Sequence, residues 1–377
     1  MTIRDVAAAE ALTFRPLPAG LDTPRVVIDL ARVGANITRL QAEMDARGIA
    51  LRPHAKTHKS VAIARMQLAA GACGLTVGTL GEAEVFLAAG IDEVFLAYPI
   101  WVDGPKAARL RALHEASTAF RVGVDSVGGA QHLAAAVAGA AGGRRLGVLV
   151  EVDPGLNRTG VATPEAALEV ARAARAAGLA VEGVFSHGGH GYRPGAAIAA
   201  GDDEVRTLTA AADALLGDGF EVSVVSAGST PTMLTAAGGR VTEMRAGTYV
   251  LGDRQQWILG AIPADGCATA VAATVVSVFD DRVVIDAGAK ALTKDRAEWV
   301  SGHGAVVGYP DLLIDRVNDY HGVVLAPLGA ARPALGEIVA IVPNHICPVI
   351  DLVDSFVAIA ADGTAEAWPV DARGRSG

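Results

Sequence analysis

The stretch Arg52-Pro53-His54-Ala55-Lys56-Thr57-His58-Lys59 closes an apolar run, Ile49 to Ala55, that reads as a strand and follows a helical pattern from Val33 to Gly48. A lysine at the carboxyl end of a strand stands where a β/α barrel keeps its chemistry. Arg52, His54, His58 and Lys59 crowd cationic or titratable groups around Lys56, and like charge lowers an amine's pKa. An amine poised that way can form a Schiff base. A solvated basic turn between strand and helix is the competing reading of the octapeptide taken alone.

Outward from this stretch the chain alternates. Strand-like runs lie at 25–30 and then near 50–56, 74–79, 93–99, 120–126, 145–153, 181–187, 221–227 and 242–250. Between them fall helical patterns such as Gly81 to Ala89, Pro105 to Ala116, Pro164 to Ala177 and Asp203 to Leu216, with an Ala/Gly-rich helix at 129–143. Even spacing and strands apolar on both faces predict an α/β fold, a parallel (β/α)8 TIM-type barrel in preference to a doubly wound open sheet. Beyond Tyr249 the pattern becomes consecutive β-type runs at 267–279, 282–286, 305–307, 322–325 and 337–341, without a long helix, which predicts a second, C-terminal β-rich domain. The expected division is a barrel over 23–252 and a β-rich domain over 253–377, with residues 1–30 a candidate addition to the latter.

Composition narrows the function classes. A chain of 377 residues with 51% hydrophobic and 19% charged residues is globular and can bury a large core. Its net charge of −9, without any run of Lys and Arg, argues against a nucleic-acid surface, so an anion has to be held locally. Cysteines 73, 267 and 347 make neither a CxxC pair nor an even disulfide framework, which fits a reducing, cytoplasmic setting. Arg4, Asp5 and Glu10 interrupt the first apolar region, so no signal peptide is expected, and no stretch is long and bulky enough for a membrane span.

Each polar cluster of the barrel half falls at a strand end. These are Glu151-Val-Asp-Pro-Gly-Leu-Asn-Arg158-Thr-Gly160, Ser186-His187-Gly-Gly-His190-Gly-Tyr192, Ser226-Ala-Gly228-Ser229-Thr230-Pro231-Thr232 and Arg245-Ala-Gly247-Thr248-Tyr249. Barrels often hold phosphate between their last two loops through backbone N–H groups, hydroxyls and a helix N-terminus. Gly228-Ser229-Thr230 leads into a helix-like Pro231 to Leu234, which would supply that terminus. Taken singly, a Gly-Ser-Thr is more often an N-cap, an arginine such as Arg158 a surface ion-pair residue and a histidine such as His187 a core residue. A phosphate anchor at one end and a reactive amine at the other is what pyridoxal phosphate needs.

The combination of Arg52 to Lys59, Ser226 to Thr232, Arg245-Ala-Gly247 and Pro343-Asn-His345-Ile-Cys347 resembles the D-threonine aldolase and D-serine dehydratase family, fold-type III pyridoxal phosphate enzymes related to alanine racemase. The resemblance runs from about residue 22 to Arg373. It implies a pyridoxal-phosphate-dependent lyase in which Lys56 carries the cofactor and Arg158 stands near its phenolic oxygen. Gly228, Ser229, Thr230, Gly247 and Thr248 would bind the phosphate, with Tyr192 also at the cofactor and His187 an active-site histidine. It further implies a homodimer whose β-rich domain closes the partner's site, through Asp286 to Lys290 and the region of His321.

Metal chemistry rests on His345 and Cys347. Ligands at i and i+2 on a strand or tight turn point to one side, and imidazole with thiolate suits zinc ahead of manganese or magnesium. Read without the family, an H-x-C pair is a weak signal and Cys347 an ordinary buried thiol; the resemblance places a divalent metal here. Relatives with His-x-Cys look like D-serine and 3-hydroxyaspartate dehydratases, and those with His-x-Asp like aldolases. The expected activity is therefore dehydration of a small β-hydroxy-D-amino acid, D-serine or 3-hydroxy-D-aspartate in type, to a 2-oxo acid and ammonia. D-threonine aldolase cleavage to glycine and an aldehyde is the alternative, and an amino-acid racemase or a non-catalytic pyridoxal-phosphate-binding protein is more distant.

Overall fold

The computed structural model describes residues 12–377; the segment carrying Arg4, Asp5 and Glu10, on which the absence of a signal peptide was argued, lies outside the described residues. The chain forms two compact units. One comprises residues 40–56, 63–247 and 374–377, and the other residues up to 39, 57–62 and 248–373. The first strand, β1 (Arg25–Asp29), belongs to the second unit.

The first unit is a curled sheet of eight parallel strands in chain order: β2 (Ala50–Leu51), β3 (Leu75–Val77), β4 (Val94–Pro99), β5 (Arg121–Val124), β6 (Gly147–Glu151), β7 (Ala180–Phe185), β8 (Val224–Ala227) and β9 (Glu243–Met244). β2 pairs with β9, and a parallel bridge between His54 and Thr76 brings the edges together, so the sheet closes as a barrel. β2 is much shorter than the run at 50–56 suggests, because Pro53 has no N–H to give the ladder. Its carbonyl still accepts the Thr76 N–H at 2.9 Å.

Helices follow the strands where local signals are strong. Thr79, Ser126 and Thr163 each accept a backbone N–H three residues on, starting the helices Leu80–Ala88, Val127–Val137 and Pro164–Ala176. The helix Ala197–Gly217 begins six residues before the expected Asp203, since Ala196 offers no capping side chain to mark its start. The Ala/Gly-rich helix stops at Val137, where Gly139 enters the left-handed region at φ 71°. Inside the barrel Phe95 and Phe185 meet edge to face at 5.1 Å, and a Cβ on Gly123 would come within 2.6 Å of the Phe185 ring.

Polar side chains also cross the barrel interior. Glu243 of β9 accepts from Arg52 Nε at 2.7 Å and from Ser226 Oγ at 2.7 Å, and lies 3.6 Å from Arg121. Burial would raise the Glu243 pKa, but the two arginines outweigh it and hold the carboxyl below its ordinary value.

The second unit is built on a mixed sheet. Its strands are β1, β10 (Thr269–Val278), β11 (Arg282–Ile285), β12 (Ala305–Val306), β13 (Leu313–Val317), β14 (Gly322–Leu325), β15 (Ile338–Val342), β16 (Ser355–Ile359) and β17 (Ala365–Pro369). β1 lies antiparallel to β10 and parallel to β16. A register shift between Val275 and Ser277 lets the first part of β10 pair with β1 and β15 and its last part with β11. β13, β16 and β17 were not anticipated; β17, mostly exposed and reading Ala-Glu-Ala-Trp-Pro, has little apolar alternation to announce it. Among the described residues no helix is long and apolar enough to cross a membrane.

Glu243→Gln leaves Arg52 and Arg121 without their shared buried counter-ion, and is expected to lower the unfolding free energy by about 3–5 kcal/mol. Urea unfolding measures this; a loss within the ~1 kcal/mol of an exposed pair would contradict a buried network.

Candidate active site

The carboxyl ends of the barrel strands bring together most of the residues singled out in that half of the sequence. Lys56 sits in the short 3-10 turn Ala55–Thr57 after β2, and its Nζ lies 2.9 Å from the hydroxyl of Tyr98 in β4. Arg158, in the loop after β6, stands over the same ring at 5.1 Å. Burial would raise the Tyr98 pKa, yet the charge and hydrogen bond of Lys56, with Arg158 and Arg245, carry it below the ordinary value. The expected crowd of cations around Lys56 is corrected in part: Arg52 is paired with Glu243, and Lys59 Nζ with Asp351 at 2.6 Å. These two charges are compensated elsewhere, and Tyr98 is the neighbour Lys56 has instead.

His187, just after β7, has a pKa well below its ordinary value, first because it is buried and then because Lys56, Arg158 and Arg245 oppose a further positive charge. Its ring hydrogen-bonds the Gly228 backbone, and the Tyr192 ring stands 6.2 Å away. It is a neutral imidazole. Glu151, at the end of β6, accepts from Thr159 Oγ1 at 3.0 Å, while its Oε2 is buried without a partner. Burial pushes its pKa up to about 7 against the pull of Thr159, Arg158 and Arg245. Three cations thus converge where the neighbouring acid is easily protonated, a field suited to an anionic cofactor.

The phosphate segment differs from expectation. Residues 231–235 form turns and no helix, so no helix N-terminus is supplied there. Pro231 brings no N–H, and the Thr232 hydroxyl is occupied by Ser229 N at 3.1 Å and by Glu204 Oε2 at 2.6 Å. Gly228 N donates to Glu204 Oε1 at 3.0 Å, so the N–H groups of Gly228 and Ser229 serve to shape the loop. The Ser229 hydroxyl lies 3.0 Å from Thr232 Oγ1, on a loop where Gly228 has φ 99° and a Cβ would strike the Met244 sulphur, so glycine sets the shape of this strand end. Glycine and hydroxyl groups on a cationic strand end fit pyridoxal phosphate. Thr248, in the second unit, opens the 3-10 turn Thr248–Val250, with its Oγ1 4.0 Å from Cys347 Sγ.

In that second unit His345 is the N-cap of the helix Ile346–Asp351, and Cys347 lies in its first turn, instead of the strand or tight turn expected. The pair is nonetheless in contact. Burial disfavours the imidazolium, but hydrogen bonds and charge from Cys347, Asp295 and Asp253 outweigh it and raise the His345 pKa to about 11. Nδ1 is 2.5 Å from Asp295 Oδ2, which leaves Nε2 for another partner. A carboxylate behind a histidine is the usual support of a metal ligand. Among the described residues no three His, Cys, Asp or Glu side chains form a fuller metal cluster, so the donor set is one imidazole and one thiol, which fits zinc with positions open for substrate oxygens.

Tyr98, Glu204 and Asp295 were not read from the sequence as site residues. Tyr98 closes a barrel strand, a signal that would have found it; Glu204 and Asp295 gain their roles only through contacts 24 and 50 residues away. Among the described residues three non-glycine residues hold positive φ, Lys59 (49°), Asn157 (58°) and Thr293 (64°); they close the Lys56 motif, precede Arg158 and lie two residues before Asp295.

Residues 28–255 match the family model described as alanine racemase, N-terminal domain, and residues 268–359 the one described as putative serine dehydratase domain. The D-threo-3-hydroxyaspartate dehydratase of Delftia sp. (strain HT23) is 38% identical over 372 residues, covering 92% of this chain and 97% of that one. Its solved structure superposes with a TM-score of 0.83 at 35% identity, over 93% and 97% of the two chains. A cysteine-to-alanine variant of that dehydratase, in a metal-free form, gives a TM-score of 0.84 at 35% identity over the same shares. The D-threonine aldolase of Arthrobacter sp is 34% identical over 373 residues, 95% of this chain and 94% of that one. Fold, strand-end cations and these likenesses define the class: the chain is a fold-type III, pyridoxal-phosphate-dependent lyase. Within it, the chain belongs to the alanine racemase N-terminal domain family, with a serine dehydratase domain following in the sequence.

Glu151 is a raised acid, so its protonated form favours the folded state and stability falls as pH rises from its unfolded value of 4.5 towards about 7. Glu151→Gln removes that slope. The variant is expected to gain about 3 kcal/mol on the natural chain between pH 4.5 and 7 and nothing further above it, measured by denaturant unfolding across that range.

Proposed function

We propose that the chain dehydrates a small β-hydroxy-D-amino acid, of 3-hydroxy-D-aspartate or D-serine type, to a 2-oxo acid and ammonia. The observation that carries this reading is the contact of His345 with Cys347, backed by Asp295, an imidazole–thiol set suited to a divalent cation of the zinc type ahead of manganese or magnesium. A cation held by these two residues would supply Lewis acidity towards a departing hydroxyl. The dehydratase of Delftia, named for D-threo-3-hydroxyaspartate, supports the same choice of substrate class.

Pyridoxal phosphate, when bound, supplies the electron sink for negative charge at the substrate Cα. Lys56 holds the cofactor through its amine and, once the substrate amine has replaced it, takes the Cα proton on Nζ. Tyr98, 2.9 Å away, orients that nitrogen. Arg158 binds the phenolic oxygen, and Ser229, Thr230, Gly247 and Thr248 the phosphate on a loop whose shape Gly228 sets, with the Tyr192 ring closing beside His187. Loss of the β-hydroxyl leaves an unsaturated amine that hydrolyses. We also assign the barrel to 23–252 and the metal-bearing domain to 253–377, with residues 1–30 a candidate addition to the latter, and take the enzyme as a cytoplasmic homodimer, in keeping with three free cysteines among the described residues.

A retro-aldol cleavage is the second reading, favoured by the neutral His187, a proton acceptor of the kind that would ionise a β-hydroxyl. Product analysis separates the two. Purified enzyme loaded with pyridoxal phosphate and zinc is expected to give 2-oxo acid and ammonia from D-threo-3-hydroxyaspartate or D-serine, with this activity lost on chelation and in Cys347→Ala. Glycine and an aldehyde, from either of these or from D-threonine, would make it an aldolase.

A further inference from the structure

The β-rich unit holds a cavity of about 420 Å³ whose lining includes Arg254, Trp257, Val306, Tyr309 and Leu312, with Leu12 at its edge. Its lining is mainly apolar and aromatic, and among the described residues Arg254 is the one charged residue in it. The guanidinium is poorly compensated. Nη1 donates to the Ser301 carbonyl at 2.6 Å and to Asn344 Oδ1 at 3.0 Å, both neutral acceptors, and Nε is buried without a partner. Among the described residues no carboxylate pairs with it, and burial alone pushes its pKa down to about 10. The neighbouring acids are committed elsewhere. Asp253 accepts from Gln256 N and Ile346 N, and Glu337 from the Tyr309 hydroxyl and Ala334 N.

Arg254 is half-buried, and a guanidinium whose Nε is shut off from water with no partner and no counter-ion carries a cost that a bound anion would relieve. The planar fork of arginine matches a carboxylate, and aromatic walls match an apolar body. We propose that this cavity is a second small-molecule site, which takes a monocarboxylate carrying a phenyl or branched aliphatic group, its carboxylate on Arg254 and its body against Trp257, Tyr309 and Val306. The site needs neither pyridoxal phosphate nor the His345–Cys347 pair, so it stands or falls apart from the lyase reading.

Calorimetric titration of the full-length, cofactor-loaded protein with 3-phenylpropionate tests it, with 3-phenylpropionamide as the uncharged control. Saturable binding at millimolar concentration or below is expected, weakened about tenfold or more for the amide and in Arg254→Gln, the scale of a lost charge-assisted contact. Val307→Phe, which fills the cavity and leaves Arg254 in place, is expected to abolish binding while the lyase activity persists. Lys56→Ala should bind 3-phenylpropionate as the natural chain does. No saturable binding, equal binding of acid and amide, survival of binding in both Arg254→Gln and Val307→Phe, or its loss in Lys56→Ala would each overturn the assignment.

Discussion

The barrel's chemistry depends on a buried line of alternating charges and hydroxyls. It runs from Arg52 beside β2 to Glu243 in β9, then to Ser226 in β8, Arg245 after β9 and the Ser186 carbonyl after β7, where Arg245 Nη2 donates. From Ser186 its hydroxyl continues the line to Glu204, which also receives Gly228 N and Thr232 Oγ1. Charges this deep are tolerated only when every partner is present. Given that, the line fixes three loop-bearing strand ends against one another and leaves little freedom to the floor on which a cofactor would lie.

That arrangement also sets the electrostatics above it. Glu243 absorbs the charge of Arg52, and the positive field at the strand ends comes from Lys56, Arg158 and Arg245. The same field lowers the Tyr98 pKa and adds to the burial that lowers that of His187. A phenol drawn towards ionisation beside an amine, and an imidazole kept neutral, are groups suited to exchanging protons with a bound substrate. An anionic cofactor and a carboxylate-bearing substrate would be attracted by the field that makes them so.

Much of this was legible in the sequence because the signals were local. Eight apolar runs at even spacing, caps such as Thr79 and Thr163 with Pro164, and polar clusters at strand ends each announce themselves within a few residues. Lys56, Arg158, His187 and Gly228 were read from those clusters. What escaped depends on contacts distant in sequence or on competition for hydrogen bonds. Pro231 to Leu234 looks helical until Thr232 is drawn to Glu204. Arg52 and Lys59 look like unpaired charges beside Lys56 until Glu243 and Asp351, distant in sequence, neutralise them. His345 and Cys347 meet through a helix N-cap instead of the strand alternation that their spacing suggested.

The central claim is that the barrel holds pyridoxal phosphate through Lys56, the amine beside Tyr98, and not through Lys59, whose ammonium is tied to Asp351. Borohydride reduction of the cofactor-loaded protein, followed by mass mapping of its peptides, tests this directly. The account predicts a pyridoxyl label on Lys56 and on no other lysine. A label on Lys59 or Lys290, or a reduced protein that carries none, would contradict it.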